Sequence, residues 1–200
     1  MNSLSYALRK HPIIVSLTDP NDLQLALESD SSIIILIQAD ICTLNRVVKQ
    51  IKKTDKLIFV HIDLMKGLKR DASGIKFLAD DIGIDGIVTT QTSLIALARK
   101  FQLLTIQRVF ILDSASIKQG IKSIQESRPD AVEILPGIVV PHIKDYIQKS
   151  IHQTVIAGGL INTEEEILTI LQSGAKGISS SSIDLWKSSS HIKDALQSKS

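Results

Sequence analysis

VIAGGLINTEEEI (Val155 to Ile167), followed shortly by SGAKGISSSS (Ser173 to Ser182), decides how this chain is read. Each half is a short apolar strand running into small residues. The first half then opens a helix: Thr163 stands three residues before Glu166, the spacing of a capping box. Ile167, Ile170 and Leu171 recur at the interval that places apolar side chains on one helical face. Strand, capped helix, strand is the repeating unit of a parallel sheet.

The same alternation extends outward along the whole chain. Strand candidates are Ile13 to Leu17, Ile33 to Ile37, Leu57 to Asp63, Gly86 to Thr90, Leu103 to Arg108, Ala131 to Leu135, Thr154 to Ala157 and Gly177 to Ser180. Helical stripes lie between them, such as Leu23, Ala26 and Leu27, or Ile117, Ile121 and Ile124. Eight strands alternating with eight helices predict an α/β fold, a compact (β/α)8 TIM-type barrel, rather than an open sheet. The 200 residues stand at the lower limit for that fold, so a single domain over 1–200 with short loops is expected. Ser188 to Ser190 is the one low-complexity stretch.

A hydrophobic content of 44% and a slightly positive mean hydropathy exclude a disordered chain. No apolar run approaches the ~20 residues of a membrane span, and the first residues lack the apolar stretch of a signal peptide. One cysteine, Cys42, cannot close an internal disulfide and fits a reducing compartment, with a buried inert thiol as its expected role. A net charge of +2 neither demands nor excludes a nucleic-acid partner.

In a (β/α)8 barrel the C-terminal strand ends face the site, and the loops after the last two strands commonly hold a phosphate. Gly158 and Gly159 would let the backbone approach an anion, the helix N-terminus would offer N–H groups, and Ser179, Ser180 and Ser181 would add donors. The plainer reading is a tight turn with solvated serines. His61 and Asp63 end the third predicted strand, two residues apart and so on one side, able to bind a divalent metal or grip a hydroxyl. They would equally fill the barrel mouth by bonding to neighbouring strands. Thr89 and Thr90 end the fourth strand, and Gln107 and Arg108 the fifth. Glu133 lies in the apolar sixth strand, where a carboxylate is costly unless paired, and Arg108 is a candidate partner. The alternative is that Glu133 and Asp63 accept hydrogen bonds from a polyol while an arginine offsets anionic charge. Asp113, after the fifth strand, reads as a helix cap, as does Ser114.

HIDLMKG (His61 to Gly67) is similar to the HIDxMDG strand of pentulose-phosphate 3-epimerases, in which the histidine and first aspartate hold a metal. Lys66, however, replaces their second aspartate, and Ala157 stands before the glycine pair where they carry an acid. Two-sided proton exchange then has no evident base and acid. A barrel that holds a phosphorylated ligand without means to transform it reads as a sensor.

Nearly the whole chain resembles the glycerol-3-phosphate-responsive antiterminator family. The resemblance is carried by VHIDLMKGLKRDASGIKFL (Val60 to Leu78), DGIVTTQTSLI (Asp85 to Ile95), IQRVFILDS (Ile106 to Ser114), VEILPGIV (Val132 to Val139), VIAGGLINTEEEI and GISSSSIDLW (Gly177 to Trp186). It implies a cytoplasmic, non-catalytic regulator that senses glycerol 3-phosphate and binds the leader mRNA of glycerol-utilisation transcripts, preventing early termination, with no cofactor beyond that effector. The expected ligand set is His61, Asp63, Thr89, Arg108, Glu133, Gly158, Gly159, Ser179, Ser180 and Ser181, with no metal. Gln91 and Asn162 stand where the family often has arginines, which weakens the expected phosphate or RNA affinity or alters ligand preference. Lys66, Lys69 and Arg70 border the predicted mouth and are the expected RNA contacts, ordered when ligand binds. A homodimer suits a barrel that binds structured RNA. The rival readings are a phosphosugar isomerase, epimerase or aldolase on the same fold, and a barrel that has lost both ligand and RNA.

Overall fold

Eight parallel strands pair in chain order and close on themselves. They are β1 (Ile13–Leu17), β2 (Ile33–Leu36), β3 (Leu57–His61), β4 (Gly86–Thr89), β5 (Leu104–Phe110), β6 (Ala131–Leu135), β7 (Thr154–Gly158) and β8 (Gly177–Ser180). The computed structural model describes residues 3–188 and 191–192, so Ser189 and Ser190 of the terminal serine run lie outside the described residues. Helix α1 (Ser3–Lys10) precedes the barrel. The outer helices follow the strands in turn: α2 (Leu23–Glu28), α3 (Ile41–Ile51), α4 (Ala72–Lys76), α5 (Thr92–Lys100), α6 (Ser114–Ser127), α7 (Lys144–Ser150), α8 (Glu164–Gln172) and α9 (Ile183–Lys187). The expected (β/α)8 barrel is therefore present.

Side-chain alternation divides the strands between two cores. Outward residues such as Val15, Ile34, Val60 and Ile178 pack under the helices in the larger cluster. Inward residues Ile14, Ile33, Ile35, Phe59, Val88, Ile106, Ala131 and Ile156 fill the lumen, and Leu4, Ala7 and Leu8 of α1 join them. Helix α1 thus plugs the N-terminal end of the barrel, and Ser5 Oγ ties it to Thr154 Oγ1 of β7 at 3.1 Å. The sequence reading assigns no structure to this segment. Its polar residues obscure an apolar face of only three side chains.

The strand registers stack the inward residues in layers, given the stagger of about one residue per strand that closes such a barrel. Ile14, Phe59, Ile106 and Ile156 make a middle layer. Ile35, Val88, Glu133 and Ser179 lie above it, and Ser16, His61, Arg108 and Gly158 form the layer nearest the C-terminal mouth.

Three expectations change. Strand β3 stops at His61, and Asp63 sits in the 3-10 turn Ile62–Leu64, so strand alternation does not set the direction of the Asp63 side chain. The cause is a cluster of donors at the end of β4, which draws the Asp63 carboxylate away from the strand path. Strand β5 continues to Phe110, placing Gln107 and Arg108 inside it rather than at its end. Gln107 faces outward, where its amide donates to Ser123 Oγ at 2.6 Å and its carbonyl accepts from Ser127, clamping α6 to the barrel. Finally, Cys42 is exposed, not buried. The inner face of α3 is Leu44, Val48 and Ile51, which leaves Cys42 on the solvent side of the first turn.

Candidate functional site

The mouth layer departs from the branched apolar filling usual in such a lumen. Glu133 is fully buried, and Arg108 meets it through Nε at 2.5 Å, as the cost of a bare carboxylate in that strand requires. Ser179 Oγ donates to the other carboxylate oxygen. Gly158 is needed beside them: a Cβ there would stand 2.5 Å from Ser179 Oγ and 2.7 Å from Glu133 Oε1. Across the lumen the situation is opposite. His61 is buried, and apart from its own main chain neither ring nitrogen meets a partner. Ser16, which sequence reading passes over inside an apolar strand, likewise has a buried hydroxyl without a partner. Unsatisfied buried polar groups cost about 1–3 kcal/mol each, so the pair invites explanation. Burial, reinforced by the Arg108 charge, lowers the His61 pKa and keeps the ring neutral, while Asp63 and Glu133 oppose this more weakly.

Asp63 is saturated within the protein. Its carboxylate accepts from Thr89 Oγ1 at 2.7 Å, Thr90 N at 2.7 Å, Thr90 Oγ1 at 2.9 Å and Gln91 Nε2 at 3.1 Å. Burial resists its ionisation, but these hydrogen bonds, led by the Thr90 N–H, prevail and hold its pKa below the ordinary aspartate value. Asp63 and Thr89 are thus brought to each other rather than into the lumen, and Gln91 is part of the same knot. Among the described residues no group of three His, Cys, Asp or Glu side chains is placed to hold a metal ion.

The glycine and serine loops separate in role. Gly159 has φ +78° and Leu160 φ +56°, so the chain turns sharply after β7 through two left-handed residues. Glycine takes this conformation freely, but leucine does not. Leu160 is also two-thirds exposed, a strained apolar tip on the rim that periodicity cannot announce. The α8 N-terminus is not open to an anion: Glu166 accepts from the Asn162 and Thr163 N–H groups, Thr163 accepts from Glu166, and Glu164, Glu165 and Glu166 add negative charge. That part of the expected phosphate cradle is corrected. Ser180 faces outward, its hydroxyl accepting from Ser182 N and its carbonyl from the Trp186 indole, whereas Ser181 is exposed in the loop after β8.

Lys66, Lys69 and Arg70 are exposed beside this mouth. Their loop is pinned to its surroundings. The Lys66 N–H donates to Ala39 O at 2.9 Å and its carbonyl accepts from Ile41 N at 3.2 Å, while Arg70 donates to the Asp63 carbonyl at 2.5 Å.

A closed eight-stranded parallel barrel with a polar mouth defines a (β/α)8 protein, and a solved aldolase shares this fold at a TM-score of 0.70 and 15% identity over 95% of this chain and 98% of its own. Closer likenesses narrow the class. Residues 13–186 match the family model described as glycerol-3-phosphate responsive antiterminator. A glycerol uptake operon antiterminator regulatory protein from Listeria monocytogenes is 35% identical, with a TM-score of 0.82 over 88% of this chain and 94% of its own. An antiterminator-related protein from Thermotoga maritima is 34% identical, with a TM-score of 0.79 over 88% and 98%. The uncharacterised protein YgcP of Escherichia coli is 35% identical over 92% of this chain and 95% of its own. The chain belongs to the glycerol-3-phosphate-responsive antiterminator family, as its sequence segments lead one to expect.

Proposed function

We propose that the protein is a cytoplasmic glycerol 3-phosphate sensor whose liganded form binds leader mRNA of glycerol-utilisation transcripts and prevents early termination, without catalysis and without a cofactor. The observation that carries the reading is the polar upper half of the lumen: an Arg108–Glu133–Ser179 chain, with Glu133 and Ser179 buried, facing unpartnered His61, under the glycine turn that ends β7. Gly158, Gly159 and the exposed Ser181 loop suit a phosphate, where backbone can approach closely. Glu133, Ser179 and His61 suit the hydroxyls, and Arg108 offsets the ligand's charge. Glu133 is the one carboxylate on the inward positions of the two upper layers, and an arginine holds it. Ala157, where the epimerases carry an acid, lies in the outer core, and the Asp63 carboxylate is taken up by Thr89, Thr90 and Gln91. That supports a binding role over isomerase or aldolase chemistry.

The basic loop reaches the site through bonded neighbours. His61 ends β3, Asp63 follows in the turn, and Arg70 holds the Asp63 carbonyl. A ligand that moves His61 would shift the turn and with it Lys66, Lys69 and Arg70, which gives the coupling a physical route. Calorimetry with glycerol 3-phosphate, using inorganic phosphate and glycerol as controls, tests the sensor. Saturable binding tighter than either control is expected, and none at millimolar ligand would overturn it. For the RNA step, Lys69→Ala with Arg70→Ala should weaken leader-RNA binding and reduce its salt slope by about one for each RNA phosphate that the loop no longer neutralises. An unchanged affinity and slope would remove this loop from the interface.

A further inference from the structure

The two sides of the mouth layer differ in what they still lack. On one side every strong group is spoken for: Arg108 on Glu133, Ser179 on Glu133, and Gly158 with no side chain to offer. On the other, Ser16 Oγ and both His61 ring nitrogens are buried without partners outside the His61 main chain. Ser16 is 7% exposed and His61 3%, so the surface does not solvate them. Two of the four positions in the layer, Ser16 and Gly158, carry little or no side chain, where such a layer usually holds bulky branched residues.

The chemistry of the unpartnered atoms narrows the guest. A neutral imidazole offers one donor and one acceptor, and a serine hydroxyl offers one donor and two lone pairs. Their complement is a group that both donates and accepts, as a hydroxyl does and a phosphate dianion does not. No lysine or arginine other than Arg108 occupies an inward position in this layer. Strand β3, which carries His61, stands across the barrel from β7, whose glycine turn suits the phosphate, and β1, which carries Ser16, lies between them and opposite β5.

We infer that Ser16 and His61 form a hydroxyl-specific subsite for the terminal carbinol of the ligand, with Ser16 as a specificity-determining residue that selects polyol phosphates bearing a free terminal hydroxyl. This rests on the sensor reading above and adds the group within the ligand that is recognised.

Calorimetric titration of the wild-type protein and of Ser16→Ala with two probes, glycerol 3-phosphate and 2-hydroxypropyl phosphate, tests it. The second probe keeps the phosphate and the middle hydroxyl and lacks the terminal one. The wild type should prefer glycerol 3-phosphate by about tenfold or more. Ser16→Ala should lose about that factor for glycerol 3-phosphate, keep wild-type affinity for 2-hydroxypropyl phosphate, and so abolish the preference. The unliganded variant should melt no lower than wild type, since the change deletes an unpartnered hydroxyl. His61→Asn, which keeps a donor and an acceptor, should retain part of the preference where His61→Phe retains none. If wild type and Ser16→Ala discriminate the probes equally, the subsite is overturned while the sensor stands. If the wild type binds neither probe, the sensor reading falls and the subsite falls with it.

Discussion

The lower and upper halves of the barrel lumen are built on the same inward positions of the same strands, yet they carry opposite chemistry. Below, Ile14, Phe59, Ile106 and Ile156 interlock, and α1 closes the end with Leu4 and Leu8. Above, the next steps along those strands are Ser16, His61, Arg108 and Gly158, with Glu133 and Ser179 just beneath. A parallel barrel does not need polar groups there to close. The lower layers therefore supply cohesion, while the upper layers hold polar groups that the closure of the barrel does not call for, which accords with the binding role proposed above.

The strongest way to break this contrast is to unpair the upper half. Glu133→Ala should cost about 3–5 kcal/mol in urea unfolding, because it strands the Arg108 charge in a nearly enclosed position. Replacing both partners, Arg108→Met with Glu133→Leu, makes the upper half resemble the lower. That double variant should recover most of the loss, since apolar groups of similar volume replace buried ion pairs at little cost. It should also bind no glycerol 3-phosphate. A double variant as unstable as the single one would mean that the pair holds the barrel together.

From the other side, Leu4→Ala loosens the plug under the lumen. Leu4 is fully buried, so about 2–4 kcal/mol should be lost, without a change in ligand affinity at temperatures where the protein stays folded. Weaker ligand binding in the folded variant would show that the two ends of the lumen are not independent.

How much of this can be read beforehand depends on the kind of signal. The strands stand out because β-branched runs recur between capped helices, and the Thr163–Glu166 and Asp113 caps are found where the residues place them. The Arg108–Glu133 pair is also legible, because a carboxylate in an apolar strand demands a cation. Side-chain direction past the strand end is not legible: period two stops applying once Asp63 enters a turn, and the pull of Thr89, Thr90 and Gln91 comes from another strand. Ser16 and α1 are lost for a related reason. One serine among Ile13, Ile14, Val15 and Leu17 resembles noise until the register puts it level with His61. Three apolar residues in a polar N-terminus mean little until a barrel end needs closing.

The smallest effect isolates the His61 ring. An unfolded histidine titrates near about 6.5, whereas burial first and Arg108 second lower the value in the folded protein. Above that pH the ring is neutral in both states and contributes no difference. As pH falls below it, the unfolded chain takes up a proton that the folded protein refuses, so stability declines until the folded ring titrates as well. In His61→Asn that decline should be missing, and the stability difference between wild type and variant should drift by at most about 1.4 kcal/mol per pH unit, starting near pH 6.5. Asp63, whose folded pKa is lowered too, weakens the fold only in the more acidic range, as pH falls through the folded value, and does so in both proteins. Parallel stability curves through the histidine range would place His61 in contact with solvent. The upper layer would then be an open, wetted mouth, and its contrast with the dry layers below would need a different cause.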